Sequence, residues 1–163
     1  MGSRSKNAKE IERAYIAGFL DGDGSLMLQI KKRSDGKIGL RFMPTICFYQ
    51  DTRHESPLLW IRDVFNIGYI SRRNDGMSEL RINGYKRVAT ILNELFPYIH
   101  FKKIQSQALL SACKILSSKK FSGLSKKELE TLVDLVLVIQ NENYVTKKKR
   151  TKKEILMQLG LTP

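Results

Sequence analysis

The sequence predicts an α+β fold of the order α-β-β-α-β-β-α, with a four-stranded antiparallel sheet and additional helices toward its C-terminal end. Three observations carry that prediction. Apolar residues recur at helical spacing before residue 24 and at a period of two after residue 25. Two turn signals, Asp35-Gly36 and Asp75-Gly76, each separate a pair of alternating runs. Helix-start chemistry, one Ser-Pro and two capping boxes, punctuates the rest.

Residues 1–9 are polar and read as a flexible N-terminus or a cloning scar, ahead of a core over 10–117 and C-terminal helices with a basic segment over 118–163, all in one domain. Ile11, Ala14, Tyr15, Gly18 and Phe19 mark the first helix, and Gly22 with Gly24 are expected to end it. Leu26, Leu28 and Ile30 then alternate with polar residues as in a half-buried strand. Leu40, Phe42, Ile46 and Phe48 form the apolar face of the second strand, in which Pro44 predicts a bulge or an edge position. Ser56-Pro57 starts a helix that Leu58–Phe65 fills, with Trp60 expected in the core. Gly68–Arg73 and the run around Leu80 and Ile82 read as the second strand pair. Helices follow from Tyr85 to Pro97, over Lys102–Ser117, and from the capping box Ser125-x-x-Glu128 to Gln140. A second capping box, Thr151-x-x-Glu154, opens a last short helix. The repeated helix-hairpin order suggests internal pseudo-repetition, although Asp-Gly-Asp-Gly occurs once.

Composition narrows the function. Lys and Arg total 29 against 16 acids, a net charge of +13, and the excess is spread along the chain as well as concentrated in Lys147-Lys148-Lys149-Arg150. Such a balance favours a polyanionic partner bound in a salt-dependent way. The two cysteines, Cys47 and Cys113, form no C-x-x-C pair, which argues against a zinc site and a secreted disulfide framework. No apolar run reaches the ~18 residues of a membrane span. No targeting peptide is evident, which fits an intracellular protein working at DNA, in an organelle or the prokaryotic cytoplasm.

The polar face of the four strands is unusual. Met27, Gln29, Lys31, Arg33, Arg41, Thr45, Tyr49, Ser71, Arg73, Glu79, Arg81 and Asn83 are placed on one side by the period of two. Cations mixed with amides and hydroxyls match the donors and acceptors on base edges, and a β-ribbon fits the major groove. Double-stranded DNA is the expected partner. The basic run at 147–150 reads as a clamp on the DNA backbone.

Asp21-Gly22-Asp23-Gly24 admits three readings: a helix C-cap with turn carboxylates, an EF-hand loop, or a magnesium site. Acids are poorly placed at a helix C-terminus, where the last carbonyls already carry partial negative charge. The EF-hand fails, because Leu26 and Lys32 stand where glycine and glutamate are required. Carboxylates beside exposed carbonyls suit a hard cation that keeps waters and takes other ligands from phosphate.

Ile16-Ala17-Gly18-Phe19-Leu20-Asp21-Gly22-Asp23-Gly24 resembles the signature of the LAGLIDADG homing endonucleases in their single-motif form, and the order of strands and helices resembles theirs over roughly residues 11–110. The resemblance implies a DNA-binding saddle-shaped sheet and a homodimer that makes a staggered double-strand cut in a long, pseudo-palindromic target. It implies a dimer interface at the signature helix through Tyr15, Ala17, Gly18 and Asp21, with Asp21 structural. It also implies a divalent metal held by Asp23 and the Gly22 carbonyl. Mg2+ is the expected ion, Mn2+ a substitute, and Ca2+ one that allows binding without cleavage. Gln50 matches a residue that orders water near the scissile phosphate. Lys102 matches a basic catalytic residue, a role that neighbouring Lys103 could also fill. His54 stands where relatives often carry Arg, with Arg53 as its competitor. Two metals about 3.5–4 Å apart can clamp both the attacking and the leaving oxygen of a phosphodiester. Two alternatives share the fold: a maturase-like protein that binds intron RNA, and a catalytically silent DNA-binding module.

Overall fold

A computed structural model describes residues 2–33, 39–144 and 148–161, the first four of these as backbone only. The Asp35-Gly36 turn and Lys147 lie outside the described residues.

The first helix, α1, spans Gly2–Asp23 and passes without a loop into β1, Gly24–Lys32. Only glycine permits this junction, because a Cβ at Gly24 would stand 2.5 Å from Leu20 Cδ1 and 2.7 Å from the Leu20 carbonyl oxygen. Two expectations change here. The helix begins at Gly2, well before the apolar periodicity starts. Gly22 also lies inside the last turn and does not end it; a Cβ there would touch nothing within 4 Å.

β2 (Leu40–Asp51) pairs with β1 in the register Gly24↔Phe48 to Lys32↔Leu40. A 3-10 turn at Thr52–His54 leads to α2 (Ser56–Phe65), then β3 (Tyr69–Arg72) and β4 (Met77–Asn83). The sheet order is β1-β2-β4-β3, with every pair antiparallel. Pro44 neither bulges its strand nor stands in an edge strand. It pairs with Leu28 in a continuous register, one residue outside the β4 ladder that begins at Thr45↔Asn83. Its carbonyl accepts from Gly84 N–H at 3.3 Å. In a strand the N–H and carbonyl of one residue point the same way, so the missing donor faces the side where β4 has already ended.

α3 (Tyr85–Leu95), α4 (Lys103–Ser118), α5 (Lys126–Glu142) and α6 (Lys152–Gln158) complete the chain. Leu26, Leu28, Ile30, Phe42, Ile46, Phe48, Leu80 and Ile82 from the sheet meet Ile16 and Leu20 of α1 and the inner faces of α3, α4 and α5 in one buried cluster. Arg13 binds Glu94 at 2.6 Å, tying α1 to α3, and Asn143 Nδ2 donates to the Leu26 carbonyl at 3.1 Å, tying the end of α5 to β1. Both capping boxes form as the sequence predicts. Trp60 departs from expectation. It is 36% exposed and sets its ring edge-on to Tyr15 at 5.7 Å.

Candidate active site and nucleic-acid interface

The C-terminal turn of α1 carries two acids in opposite settings. Asp23, the last helical residue, is exposed. Asp21, two residues earlier, points the other way and is 9% exposed. Its carboxylate accepts the backbone N–H groups of His100 at 2.7 Å, Phe101 at 3.1 Å and Lys102 at 3.1 Å. These donors lie in the segment that leads into α4, so Asp21 anchors that segment to the end of α1. It therefore stays within its own protomer and does not belong to an outer dimer face. Ala17 requires the same correction, since it is completely buried in the core. Tyr15 and Gly18 do face outward, in a stripe with Ile11 and Gly22 at helical spacing. Ile11 and Tyr15 are more than 60% exposed, and with Trp60 and Pro57 they line an apolar groove.

Lys102 lies just ahead of α4 and is 7% exposed. Its ammonium donates to the Asp21 main-chain oxygen at 2.6 Å. Burial pushes its pKa below the ordinary lysine value, while the negative charges of Asp21 and Asp23 oppose that shift. A cation beside the exposed Asp23 is thus built into the fold. Lys103 is exposed and begins the helix on the solvent side, so of the two lysines it is Lys102 that reaches the end of α1.

Gln50 lies two residues beyond the Gly24↔Phe48 pair. Its Oε1 accepts Asp51 N–H at 2.9 Å, and its amide nitrogen has no hydrogen-bond partner among the described residues. The following turn exposes His54 and Arg53. Arg53 is held by Asp51 through contacts at 2.8 and 3.0 Å, and this pairing drives the Asp51 carboxyl well below the usual carboxylate range. Glu55 anchors the turn by binding Arg72 and accepting from Ser78 Oγ at 2.6 Å. No sequence signal marked Glu55, because its partners lie on β3 and β4.

The outward face of the sheet holds the predicted polar set, with two exceptions. Thr45 is fully buried, donating to Asn83 Oδ1 at 2.7 Å, and Glu79 is 4% exposed. Neither presents a free group to a partner. Glu79 binds Arg73 at 3.1 Å and Arg81 at 2.6 Å and raises both above the ordinary arginine value. Met27, Gln29, Tyr49, Ser71, Arg81 and Asn83 are half-buried, and Lys31, Arg33, Arg41 and Arg73 are exposed. Tyr49 shares a hydrogen bond with Ser25 at 2.9 Å; burial pushes its hydroxyl up to about 12 and the neighbouring Cys47 thiol up to about 11, so both stay neutral. Tyr69, opposite Arg81 in the register and 51% exposed, joins this face. The alternation back from Ser71 would have found it.

Lys31 stands directly opposite Arg41 across the β1–β2 ladder. Like charges so placed are destabilising, an arrangement that suits a face meeting a polyanion. Of the basic run, Lys148 and Lys149 are exposed. Lys149 Nζ donates to the Asn141 carbonyl at 3.1 Å, while Arg150 is docked on Gln140 and Gln158. The run is therefore partly held against the end of α5.

Among the described residues no group of three or more His, Cys, Asp or Glu side chains converges on a metal-sized site. One exposed carboxylate with the backbone carbonyls of a helix end is too little for an all-protein cage. It fits magnesium, which takes one or two carboxylates and completes its shell with water and phosphate.

Comparison with known proteins identifies the family and the fold. The LAGLIDADG endonuclease family model matches residues 16–116. The chain is 30% identical over 151 residues to the DNA endonuclease I-CvuI of Chlorella vulgaris, covering 93% of each chain. It is 28% identical over 146 residues to the DNA endonuclease I-CreI of Chlamydomonas reinhardtii, covering 90% of this chain and 89% of that one. A crystal structure of I-CvuI with the I-CreI target, in the presence of 2 mM Mg and with the DNA not cleaved, superposes with a TM-score of 0.72 at 29% identity, over 96% of this chain and 99% of the other. The matched stretch runs from the signature helix through both hairpins into α4, and on that footing the chain belongs to the LAGLIDADG homing endonuclease family, in its single-motif form.

Proposed function

We propose that the protein is a homodimeric, Mg2+-dependent endonuclease that makes a staggered double-strand cut at a long, pseudo-palindromic DNA site. The observation that carries this reading is the end of α1, where an exposed Asp23 shares one helical turn with an open stripe of small and apolar residues. Gly18 and Gly22 leave the backbone free for close approach, so two copies of α1 meeting there would bring two Asp23 carboxylates together. Each chain alone supplies half of a site.

Asp23 and the Gly22 carbonyl would hold the magnesium ion. When bound, that ion supplies charge neutralisation at the phosphate oxygens. The chain's own groups do the rest. Lys102 holds a positive charge where phosphoryl charge develops. The free amide nitrogen of Gln50 orients water, and the exposed imidazole of His54 joins the same hydrogen-bonding network. The strand face grips the major groove through Met27, Gln29, Lys31, Arg33, Arg41, Tyr49, Ser71, Arg73, Arg81 and Asn83, and Lys148 and Lys149 reach the backbone.

The test is selection of a cleavable duplex from a randomised library with Mg2+, repeated with Ca2+ and with Asp23→Asn. The expected result is one enriched site, cut only with Mg2+ and only by the protein carrying Asp23. Specific duplex binding with no cut under any divalent ion would overturn the enzyme claim. Selective capture of structured RNA would replace the DNA reading altogether.

A further inference from the structure

We infer that the β2–β4–β3 part of the sheet face is a strip of hydrogen-bond donors that reads guanine, with Arg81 as the reader and Glu79 and Thr45 as positioning residues that touch no base. The inference rests on the double-stranded DNA reading above and adds to it the base that this strip selects.

The hydrogen-bond accounting is nearly closed on the acceptor side. Glu79 is almost wholly buried, and both its oxygens are occupied. Oε1 accepts from Arg73 Nη1 at 3.1 Å, and Oε2 from Arg81 Nε at 2.6 Å. Asp75, at the adjoining turn, accepts Arg73 Nη2 at 2.5 Å. Arg73 therefore spends one N–H of each terminal nitrogen on an acid, which ties its fork to the turn. Arg81 is held only at Nε, and its Nη1 and Nη2 have no other partner among the described residues. The same logic sets Asn83. The buried Thr45 hydroxyl donates to its Oδ1 at 2.7 Å, so the amide turns its Nδ2 outward, where its one hydrogen bond among the described residues is a long 3.4 Å approach to the Tyr69 hydroxyl.

Register puts these groups together. Arg81 stands opposite Cys47 on one side and Tyr69 on the other, with Asn83 opposite Thr45 and Glu79 opposite Tyr49 and Ser71. Residues 79, 81 and 83 share the outward face of one strand. What that face offers a major groove is a fork of two donor nitrogens beside an amide donor. Guanine presents two acceptors there, N7 and O6. Cytosine presents a donor amino group, and adenine pairs its one acceptor with a donor, so each would set donor against donor. A carboxylate on a DNA-facing strand would ordinarily select cytosine. Buried and doubly bonded, Glu79 instead holds the Arg81 fork in a single orientation.

Two opposite effects of one substitution separate this role from simple structural support. Glu79→Gln removes a negative charge from a DNA-facing surface, so affinity for random duplex should rise or hold. The Arg81 fork loses its charged anchor, so discrimination for guanine should fall at least about fivefold. The experiment is selection from a randomised duplex pool in Ca2+, with melting temperatures recorded for each protein. Wild type should recover guanine at a pair of symmetry-related positions. Arg81→Ala should lose that preference by about tenfold or more, in line with the discrimination of one bidentate contact. Thr45→Val keeps the shape and removes the donor, so the Asn83 amide can turn over and adenine should be admitted at a neighbouring position. A selected site with cytosine or adenine where Arg81→Ala changes the preference would overturn the inference and leave the endonuclease reading standing. Full guanine preference in a folded Glu79→Gln protein would overturn it equally. Failure of wild type to select any duplex would overturn both.

Discussion

The Lys102 ammonium donates to the main-chain oxygen of Asp21 at 2.6 Å, although the two residues are 81 positions apart in the chain. Asp21 in return accepts the backbone N–H of Lys102. The end of the signature helix and the start of α4 are thereby locked to each other, with Asp23 on the open side.

Lys102 should leave a signature both in the pH dependence of stability and in activity. Burial lowers its pKa below 10.5, so the unfolded chain binds more protons than the folded one between the folded value and 10.5. Stability from this group should then rise with pH across that window. Lys102→Met should abolish that rise and lose at least ~100-fold in cleavage rate. Thermal melts across pH 7 to about 10, together with single-turnover cleavage, check both halves.

The two acids of the motif should separate cleanly. Asp21→Ala leaves three N–H groups without an acceptor and should cost about 2–3 kcal/mol of folding stability. Asp23→Asn should leave the metal-free melting temperature unchanged or raise it, while Mg2+-dependent cutting disappears. Denaturant unfolding of the two variants beside a cleavage assay tests the division. A large loss of stability from Asp23→Asn would contradict it.

Glycines 18 and 24 should fail in different ways. A Cβ at Gly18 meets nothing in the single chain, so Gly18→Phe should fold normally yet weaken self-association by at least ~30-fold, the range of a central interface residue. Gly24→Ala drives a methyl into Leu20 and should destabilise the chain by about 1–3 kcal/mol. Sedimentation velocity and thermal melts distinguish the two.

Acid should loosen the capping box of α5 at Glu128. The Lys119 ammonium, then the Ser125 backbone N–H and hydroxyl, hold its carboxyl down to about 2, against an ordinary 4.5. A depressed carboxylate contributes stability above its unfolded value and loses it as pH falls through the folded one. Unfolding should therefore become easier between pH 4.5 and about 2, and Glu128→Gln should flatten that part of the profile. Far-UV circular dichroism against pH reads it directly.

The local chemistry of this chain was legible in one dimension. The period of two on β1, the capping boxes at Ser125 and Thr151, and the Asp75-Gly76 turn all depend on neighbours a few residues apart. Each stands where the pattern put it. The outward face of the sheet was legible for the same reason. Which of its members are available was not. Thr45 and Glu79 have the right parity, yet each is consumed by a residue on another part of the sheet.

Nine residues around Asp21 and Asp23 are enough to read the family, and local spacing is enough to read the order of elements, because backbone geometry answers to near neighbours. Long-range packing is what turns Ala17 and Asp21 inward, brings Lys102 rather than Lys103 to the end of α1, and gives Glu79 to two arginines. Those outcomes depend on which side chains compete for one buried partner. Such competition is settled by packing and desolvation between segments dozens of residues apart, which no local pattern records.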